Sequence, residues 1–232
     1  MCTVTIVPHP RGVRLLCNRD ERRIRPDAWP PMVHALGRRR AIFPVDPQGG
    51  GTWVGVNDAG LAVTLLNVHG TTARGERGPF RSRGLVVREL LLCRSLPDAA
   101  AAVMGIPVRA FEPFRVVIAH DGQVLVATSA GSAPIHRSFL PLSAPRLFTS
   151  SSLGDEVVGP PRRRLFERMV IRSNTGWLRG QARFHNHRWS RRPEISVRME
   201  RDDALTVSRT TIDVTDGVPH LVYEAPVWSS LH

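Results

Sequence analysis

The order of strand and helix patterns along this chain most constrains the fold that it can adopt. Residues 2–7 and 13–17 read as strands around the turn cluster Pro8–Gly12, so the chain is predicted to open with a β-hairpin. Further strands are predicted over 52–57, 61–66, 115–119, 124–128, 195–199, 205–212 and 218–223, and helices over 82–94, 98–104 and 162–170. Strands and helices grouped in this way, rather than alternating regularly, predict a layered α+β fold.

No shift in composition marks a domain boundary, so residues 1–232 are predicted to form a single domain. Residues 21–40 are polar and rich in Pro and Arg, and they are predicted to form a loop because prolines at 26, 30 and 31 prevent a long helix. Residues 172–194 are predicted to be a second, mobile loop.

The formal net charge is +12, and all 32 basic residues are arginine. A GC-rich, bacterial genome explains part of this bias without any function. The functional alternative is that guanidinium groups bind phosphate or carboxylate, which predicts an anionic small-molecule ligand or substrate. Nucleic acid is not the expected partner, because the arginines are scattered, no nucleic-acid-binding motif is present and aromatic residues make up only 6%.

The cysteine pattern argues against a disulfide scaffold and against a zinc site. There are three cysteines, at positions 2, 17 and 93, without regular spacing, and the last two are predicted to be core residues. His185 and His187 resemble a metal pair but lack a third ligand, so no metal and no cofactor is expected. With no signal-peptide pattern and no apolar run near ~20 residues, a cytoplasmic protein without a membrane span is expected.

Cys2 is the candidate nucleophile of the sequence. Methionine aminopeptidases remove an initiator Met when the next side chain is small, and removal of Met1 would give Cys2 a free α-amine. An α-amine with a pKa near 7.7–8.0 can take the thiol proton and later protonate a leaving group. The alternative is that Cys2 is simply a small buried apolar residue.

The hairpin is predicted to bring a polar run to the nucleophile. If the whole cluster 8–12 forms the loop, Cys2 lies opposite Asn18, and Asn18 and Asp20 share its face. Arg19 then points away, whereas a register slip by one residue would reverse these faces. In either case an amide, a cation and a carboxylate lie near the thiol, and the cation would lower its pKa.

At this point the sequence resembles the NRDE family, also called the transport and Golgi organisation protein 2 family. The resemblance rests on the start MCTVTIVP, on Asn18-Arg19-Asp20-Glu21, on Gly50-Gly51-Thr52-Trp53, on Asn67 at a strand end and on Ser82-Arg83-Gly84. It is strongest over residues 1–94. Its eukaryotic members are linked to Golgi and mitochondrial organisation and to lipid or haem handling.

The resemblance implies a four-layer αββα sandwich of the N-terminal nucleophile hydrolase type. It implies that Cys2 is the nucleophile, Asp20 the partner of its amine, Arg19 an orienting cation and Asn67 an oxyanion-hole donor. Many members carry a Ser-Asn pair on a later strand, where this chain has serines, so the hydroxyl of Ser150 is expected to replace the amide.

For two features the sequence is consistent with either a ligand-binding role or a structural role. Ser82 and Arg83 stand at a predicted helix start, where backbone N–H groups bind anions, but Ser82 is equally suited to ordinary capping. Trp53 is predicted to be a core residue, and the glycines before it are predicted to permit a close backbone approach.

Two functions are consistent with the sequence. The first is an N-terminal-cysteine hydrolase that cleaves a non-peptide amide bond in a small anionic or lipid-like substrate. The second is a non-catalytic carrier that binds haem or an acyl-CoA-like acidic ligand, which the arginine excess and the family's associations favour.

Overall fold

The structure is a computed structural model that describes residues 2–69, 80–132 and 134–225. Its strands are β1 (Cys2–His9), β2 (Gly12–Arg22), β3 (Trp29–Leu36), β4 (Arg39–Val45), β5 (Val54–Asn57), β6 (Ala62–Asn67), β7 (Phe114–His120), β8 (Gln123–Ser129), β9 (His136–Pro141), β10 (Arg146–Ser150), β11 (Ala204–Thr215) and β12 (Val218–Glu224). Its α-helices are α1 (Gly84–Leu90), α2 (Leu96–Met104), α3 (Asp155–Phe166) and α4 (Trp177–His185). None of these helices is long and apolar enough to cross a membrane.

The strands of the described residues form two antiparallel sheets. One sheet has the order β10-β1-β2-β11-β12, and the other runs β3-β4-β5-β6-β7-β8-β9. Helices α1 and α2 pack on the outer face of the second sheet, whereas α3 and α4 cover the outer face of the first. The layers are therefore α, β, β and α, which confirms the predicted sandwich.

Strand β1 shows how the sequence fits a layer that is covered on both sides. Val4 and Ile6 point into the apolar core between the sheets. Thr3 and Thr5 point towards the helices, where they are fully buried and hydrogen-bonded. The alternation of apolar and hydroxyl side chains thus sets which face of β1 meets the second sheet, because side chains alternate along a strand.

The prediction of a loop over residues 21–40 is wrong. Strand β2 continues to Arg22, and residues 29–36 form β3, which pairs with β4. Pro30 and Pro31 are tolerated because β3 is an edge strand and its register is irregular between Trp29 and Met32.

Two predictions in the last third of the chain are also wrong. Residues 177–185 form α4 instead of part of a mobile loop, and this helix buries Phe184 against α3 and the following turn. Residues 195–199 are not a strand. Ile195 and Val197 alternate because both are buried, Val197 in the helix-side cluster, and not because they pair with a neighbouring strand.

Candidate active site

Cys2 lies at the first position of β1, in the middle of the first sheet, and its side chain opens into a cleft between the two sheets. The residue is 4% exposed. Its backbone nitrogen donates a hydrogen bond to Ser150 Oγ at 3.3 Å. This nitrogen would become the α-amine on removal of Met1, so the Ser150 hydroxyl lies beside the position of that amine.

The hairpin register differs by one residue from the predicted register. The loop contains only Pro10 and Arg11, because His9 pairs with Gly12, and Cys2 therefore lies opposite Arg19 instead of Asn18. A shift of one residue reverses the faces of a strand. Arg19 consequently shares the face of Cys2, and the prediction that Asn18 and Asp20 do so is wrong.

Arg19 is fixed beside the nucleophile by a ring and two carboxylates. Its guanidinium carbon lies 4.1 Å from the centre of a Trp53 ring, a cation–π geometry. Its Nη2 lies 3.4 Å from Glu21 Oε2 and 3.7 Å from Asp46 Oδ2. Trp53 is 7% exposed, which confirms its predicted burial, and it also forms part of the cleft wall.

Asn18 points to the opposite face of the sheet and does not line the cleft, so it is not a direct binding residue there. Its Nδ2 donates to the carbonyls of His185 and Val197 at 2.9 and 3.0 Å. Its Oδ1 lies 3.0 Å from His185 Nδ1, and His185 Nε2 lies 2.7 Å from Thr5 Oγ1. Asn18 thus joins β2 to the end of α4, and this contact stabilises the hairpin on the helix side of the sheet.

Because His185 is buried, we expect the stability of the fold to decrease in acid. Burial, reinforced by Arg209 and Arg162, holds the pKa of His185 well below its ordinary value. An unfolded His titrates near 6.5, so the unfolded chain binds a proton that the folded chain excludes. The free energy of unfolding should therefore fall as the pH drops below about 6.5, with this residue contributing up to about 1.4 kcal/mol per pH unit.

Urea unfolding between pH 5.5 and 7.5 measures this contribution. His185→Gln should flatten the dependence on pH, whereas His220→Gln, at an exposed position of β12, should leave it as in the parent protein. Equal pH dependence in the parent and His185→Gln would show the prediction to be wrong.

Asp20 lies on the same face as Asn18, buried behind the nucleophile strand. It is 2% exposed, and its Oδ1 accepts a hydrogen bond from the Thr206 hydroxyl at 2.6 Å. Burial raises the pKa of Asp20, while the charge of Arg162, the Thr206 hydrogen bond and the amino terminus act to lower it.

Arg162 is the buried cation of this region, and it comes from α3. It is 1% exposed, and its guanidinium donates to Thr3 Oγ1 at 2.7 Å and to Thr149 Oγ1 at 2.9 Å. It also donates to the carbonyls of Ile195 at 3.0 Å and Ser196 at 2.6 Å. Arg162 therefore ties α3 to β1 and β10, the two strands that carry Cys2 and the hydroxyl at its nitrogen.

The cleft in front of Cys2 has a volume of about 600 Å³. Asn67 lies on its wall at the end of β6, and Ser82 and Arg83 lie on its rim. Ser82 does not cap α1, whose N-cap is Arg83 without a side-chain cap, so the capping alternative is wrong. The cleft is lined by five arginines and four acidic residues: Arg19, Arg22, Arg25, Arg81, Arg83, Glu21, Asp46, Glu112 and Asp203.

Most of these charges are paired. Arg25 contacts Asp46 and Glu21, and Arg83 Nη2 lies 3.1 Å from Glu112 Oε2. Burial lowers the pKa of Arg83, while Glu112 acts to raise it. Arg81 makes no ion pair within the described ranges; its guanidinium carbon lies 5.3 Å from the centre of the Phe111 ring.

Gly51 and Gly84 bring the rim of the cleft together. A Cβ at Gly51 would lie 2.4 Å from the backbone of Gly84, so only glycine fits there. The amide of Thr52 then donates to the Gly84 carbonyl at 3.1 Å. This contact confirms the predicted close backbone approach, and it fixes the start of α1 above the cleft.

No group of three or more metal-ligating side chains occurs in the parts of the chain that the structure describes. The site residues that sequence reasoning missed are Arg162, Thr206 and His185. The sequence suggests His185 only as one member of a metal pair, and it indicates no role for Arg162 or Thr206. No local pattern marks them, because their contacts join residues far apart in the chain.

Two solved structures share this fold. The Caenorhabditis elegans ortholog of N-acylethanolamine-hydrolyzing acid amidase matches with a TM-score of 0.64 at 13% identity, covering 95% of this chain and 100% of that chain. Penicillin V acylase from Agrobacterium tumefaciens matches with a TM-score of 0.55 at 12% identity, covering 97% and 86%. Comparison with curated proteins finds no match.

The fold is that of the N-terminal nucleophile hydrolase type. The family model for Transport and Golgi organisation 2 matches residues 1–152. The chain therefore belongs to the Transport and Golgi organisation 2 family, as its sequence motifs predicted.

Proposed function

We propose that this chain, after removal of Met1, is an N-terminal-cysteine hydrolase that cleaves a linear, non-peptide C–N bond in a small amide. The observation that carries the proposal is the placement of Cys2 at the cleft floor, with its nitrogen on Ser150 and Arg19 beside it. The two fold neighbours, an acid amidase and an acylase, show that this architecture accommodates hydrolases, and they agree with the proposal at the level of fold.

The reaction begins with transfer of the Cys2 thiol proton to the α-amine. The thiolate then attacks the substrate carbonyl, and the ammonium group returns a proton to the departing amine. Water hydrolyses the resulting thioester and regenerates the thiol. Asp20 holds the positive charge of the amine, and Arg19 favours the thiolate.

Asn67 is the proposed oxyanion donor. It lies at the cleft wall, across from Cys2 and on the other sheet. Because such a donor acts most strongly on the charge that develops in the transition state, Asn67→Ala should lower kcat about 10²-fold with little change in KM. Steady-state kinetics test this, and a change confined to KM would contradict the oxyanion role.

The cleft favours an anionic substrate over a lipid-like one. Arginines are its most numerous lining residues, whereas its large apolar lining side chains are Trp53, Leu65 and Phe80. Guanidinium groups bind carboxylate and phosphate in a fixed, forked geometry. We further propose a cytoplasmic location, since the nucleophile must remain a reduced thiol.

The arginine-lined cleft also supports the second candidate, a carrier of haem or of an acyl-CoA-like acidic ligand. One assay separates the two functions. Processed protein is incubated with N-acyl amides that carry a carboxylate or phosphate and with neutral counterparts, and amine release is measured alongside a spectral titration with haem.

Release of amine from the anionic set, lost in Cys2→Ala, supports the hydrolase. Saturable binding of haem or an acyl-CoA without amine release supports the carrier. Turnover that survives in Cys2→Ala overturns the proposed mechanism.

A further inference from the structure

Cys17 and Cys2 present two thiols on the same face of the opening hairpin. Cys17 lies opposite Val4, and Cys2 lies opposite Arg19, so the two cysteines are diagonal neighbours across β1 and β2. Both side chains point between the sheets and belong to one buried cluster. Cys17 is 0% exposed, so its sulfur is shielded from solvent within this cluster.

The two thiols act on each other. Interaction with Cys17 is the largest effect that lowers the pKa of Cys2, while the same interaction and burial raise the pKa of Cys17 well above its ordinary value. Of these two neighbouring sulfurs, Cys2 is therefore the one that ionises more readily. Thr64 flanks Cys17 from the other sheet, and its hydroxyl donates to the Trp53 carbonyl at 3.1 Å.

We propose that Cys17 is a positioning residue for the Cys2 nucleophile, because its buried S–H donates a hydrogen bond that orients the Cys2 sulfur and stabilises the thiolate. The sequence predicts only a core role for Cys17. A core role requires an apolar side chain of the right volume, whereas the proposed role requires a donor at this position. The inference rests on the proposed nucleophile but does not depend on turnover.

Other charges also face the Cys2 thiol. Arg19 favours the thiolate, while Asp20 and burial oppose it. Arg83, on the opposite side of the cleft, also interacts with the charge of Cys2. These groups remain in place in a Cys17 variant. A change in the reactivity of Cys2 in such a variant therefore measures the effect of the Cys17 S–H group.

The test is the rate of Cys2 alkylation by iodoacetamide as a function of pH, followed by mass spectrometry of the amino-terminal peptide in processed protein. Cys17→Ala and Cys17→Val remove the donor, and the latter retains a larger apolar side chain. Cys17→Ser keeps a donor. Cys93→Ala, at a half-buried position that follows α1 and does not line the cleft, is the control, and thermal unfolding shows that each variant is folded.

The proposal predicts that the midpoint of the pH profile rises in Cys17→Ala and Cys17→Val, and that alkylation at pH 7 slows roughly fivefold. Cys17→Ser should restore most of the rate. If either folded variant without a donor keeps the parent midpoint, or if Cys17→Ser shifts it as far as they do, the proposal is overturned. An inactive protein with the predicted shifts would contradict the hydrolase alone.

Discussion

Cys2→Ala is expected to abolish amide hydrolysis while the fold remains intact. The variant removes the only sulfur that lines the cleft in the described residues, and no other group there can form the thioester. The loss should be at least about 10³-fold in kcat, since removal of a nucleophile eliminates the covalent route. Truncation of a small side chain at the end of β1 should leave most of the core packing in place.

The matched control is Cys93→Ala. Cys93 follows α1, is half-buried and does not line the cleft, so its variant should keep the parent rate. Thermal unfolding should show cooperative transitions for both variants. Loss of activity in Cys93→Ala, or residual activity in folded Cys2→Ala, would contradict the assignment of the nucleophile.

Arg162→Met is expected to cause the largest loss of stability among single substitutions near the site. The guanidinium makes four hydrogen bonds within 3.0 Å and supplies the positive charge that acts on buried Asp20. Removing the guanidinium leaves its buried acceptors without donors and removes a positive charge that offsets the charge of Asp20. The free energy of unfolding should fall by about 3–5 kcal/mol.

Arg163→Met provides the control, because Arg163 is the next residue of α3 and is exposed. Its effect on the free energy of unfolding should remain within about 0.5 kcal/mol. Urea unfolding measures both variants. Equal effects would mean that the buried network around Arg162 contributes nothing beyond an ordinary surface arginine.

A second readout separates the electrostatic role of Arg162 from its packing role. Because its charge lowers the pKa of Asp20, Arg162→Met should raise that pKa further. Arg162→Lys retains a charge but loses the forked donor geometry, so it should restore part of the electrostatic effect and little of the stability.

The α+β fold class could be predicted from local patterns in the sequence, whereas the four-layer arrangement was predicted from the resemblance to the family. The alternation in residues 2–7 and the paired strands at 52–57 and 61–66 are short-range signals, and the structure contains strands at these places. The motif Asn18-Arg19-Asp20-Glu21 identified the family and placed the polar run next to Cys2.

The register of the opening hairpin could not be predicted, and it decides which polar residue faces the cleft. The sequence contains five turn-forming residues from Pro8 to Gly12, but the strand extends through Pro8 and His9 and leaves a loop of two residues. This extension is stabilised from outside the hairpin, since His9 Nε2 lies 3.0 Å from Asp213 Oδ1 on β11. The turn preferences of residues 8–12 carry no information about a contact with Asp213, which is distant in sequence.

The contacts that His185 and Arg162 make with β1 could not be predicted from the sequence for the same reason. His185 contacts Thr5 across 180 residues of sequence, and Arg162 contacts Thr3 across 159. Such contacts form only when α3 and α4 pack on the first sheet. A sequence pattern of arginines or histidines does not show which of them becomes buried.

The most direct test of the central claim is the intact mass of the protein produced in a host with an active methionine aminopeptidase. If Cys2 is the nucleophile, the protein lacks Met1 and begins with Cys2, so that the nitrogen beside Ser150 is a free amine. A protein that retains Met1 would contradict this role of Cys2, because the residue that carries the thiol would then have no amine to act as its base.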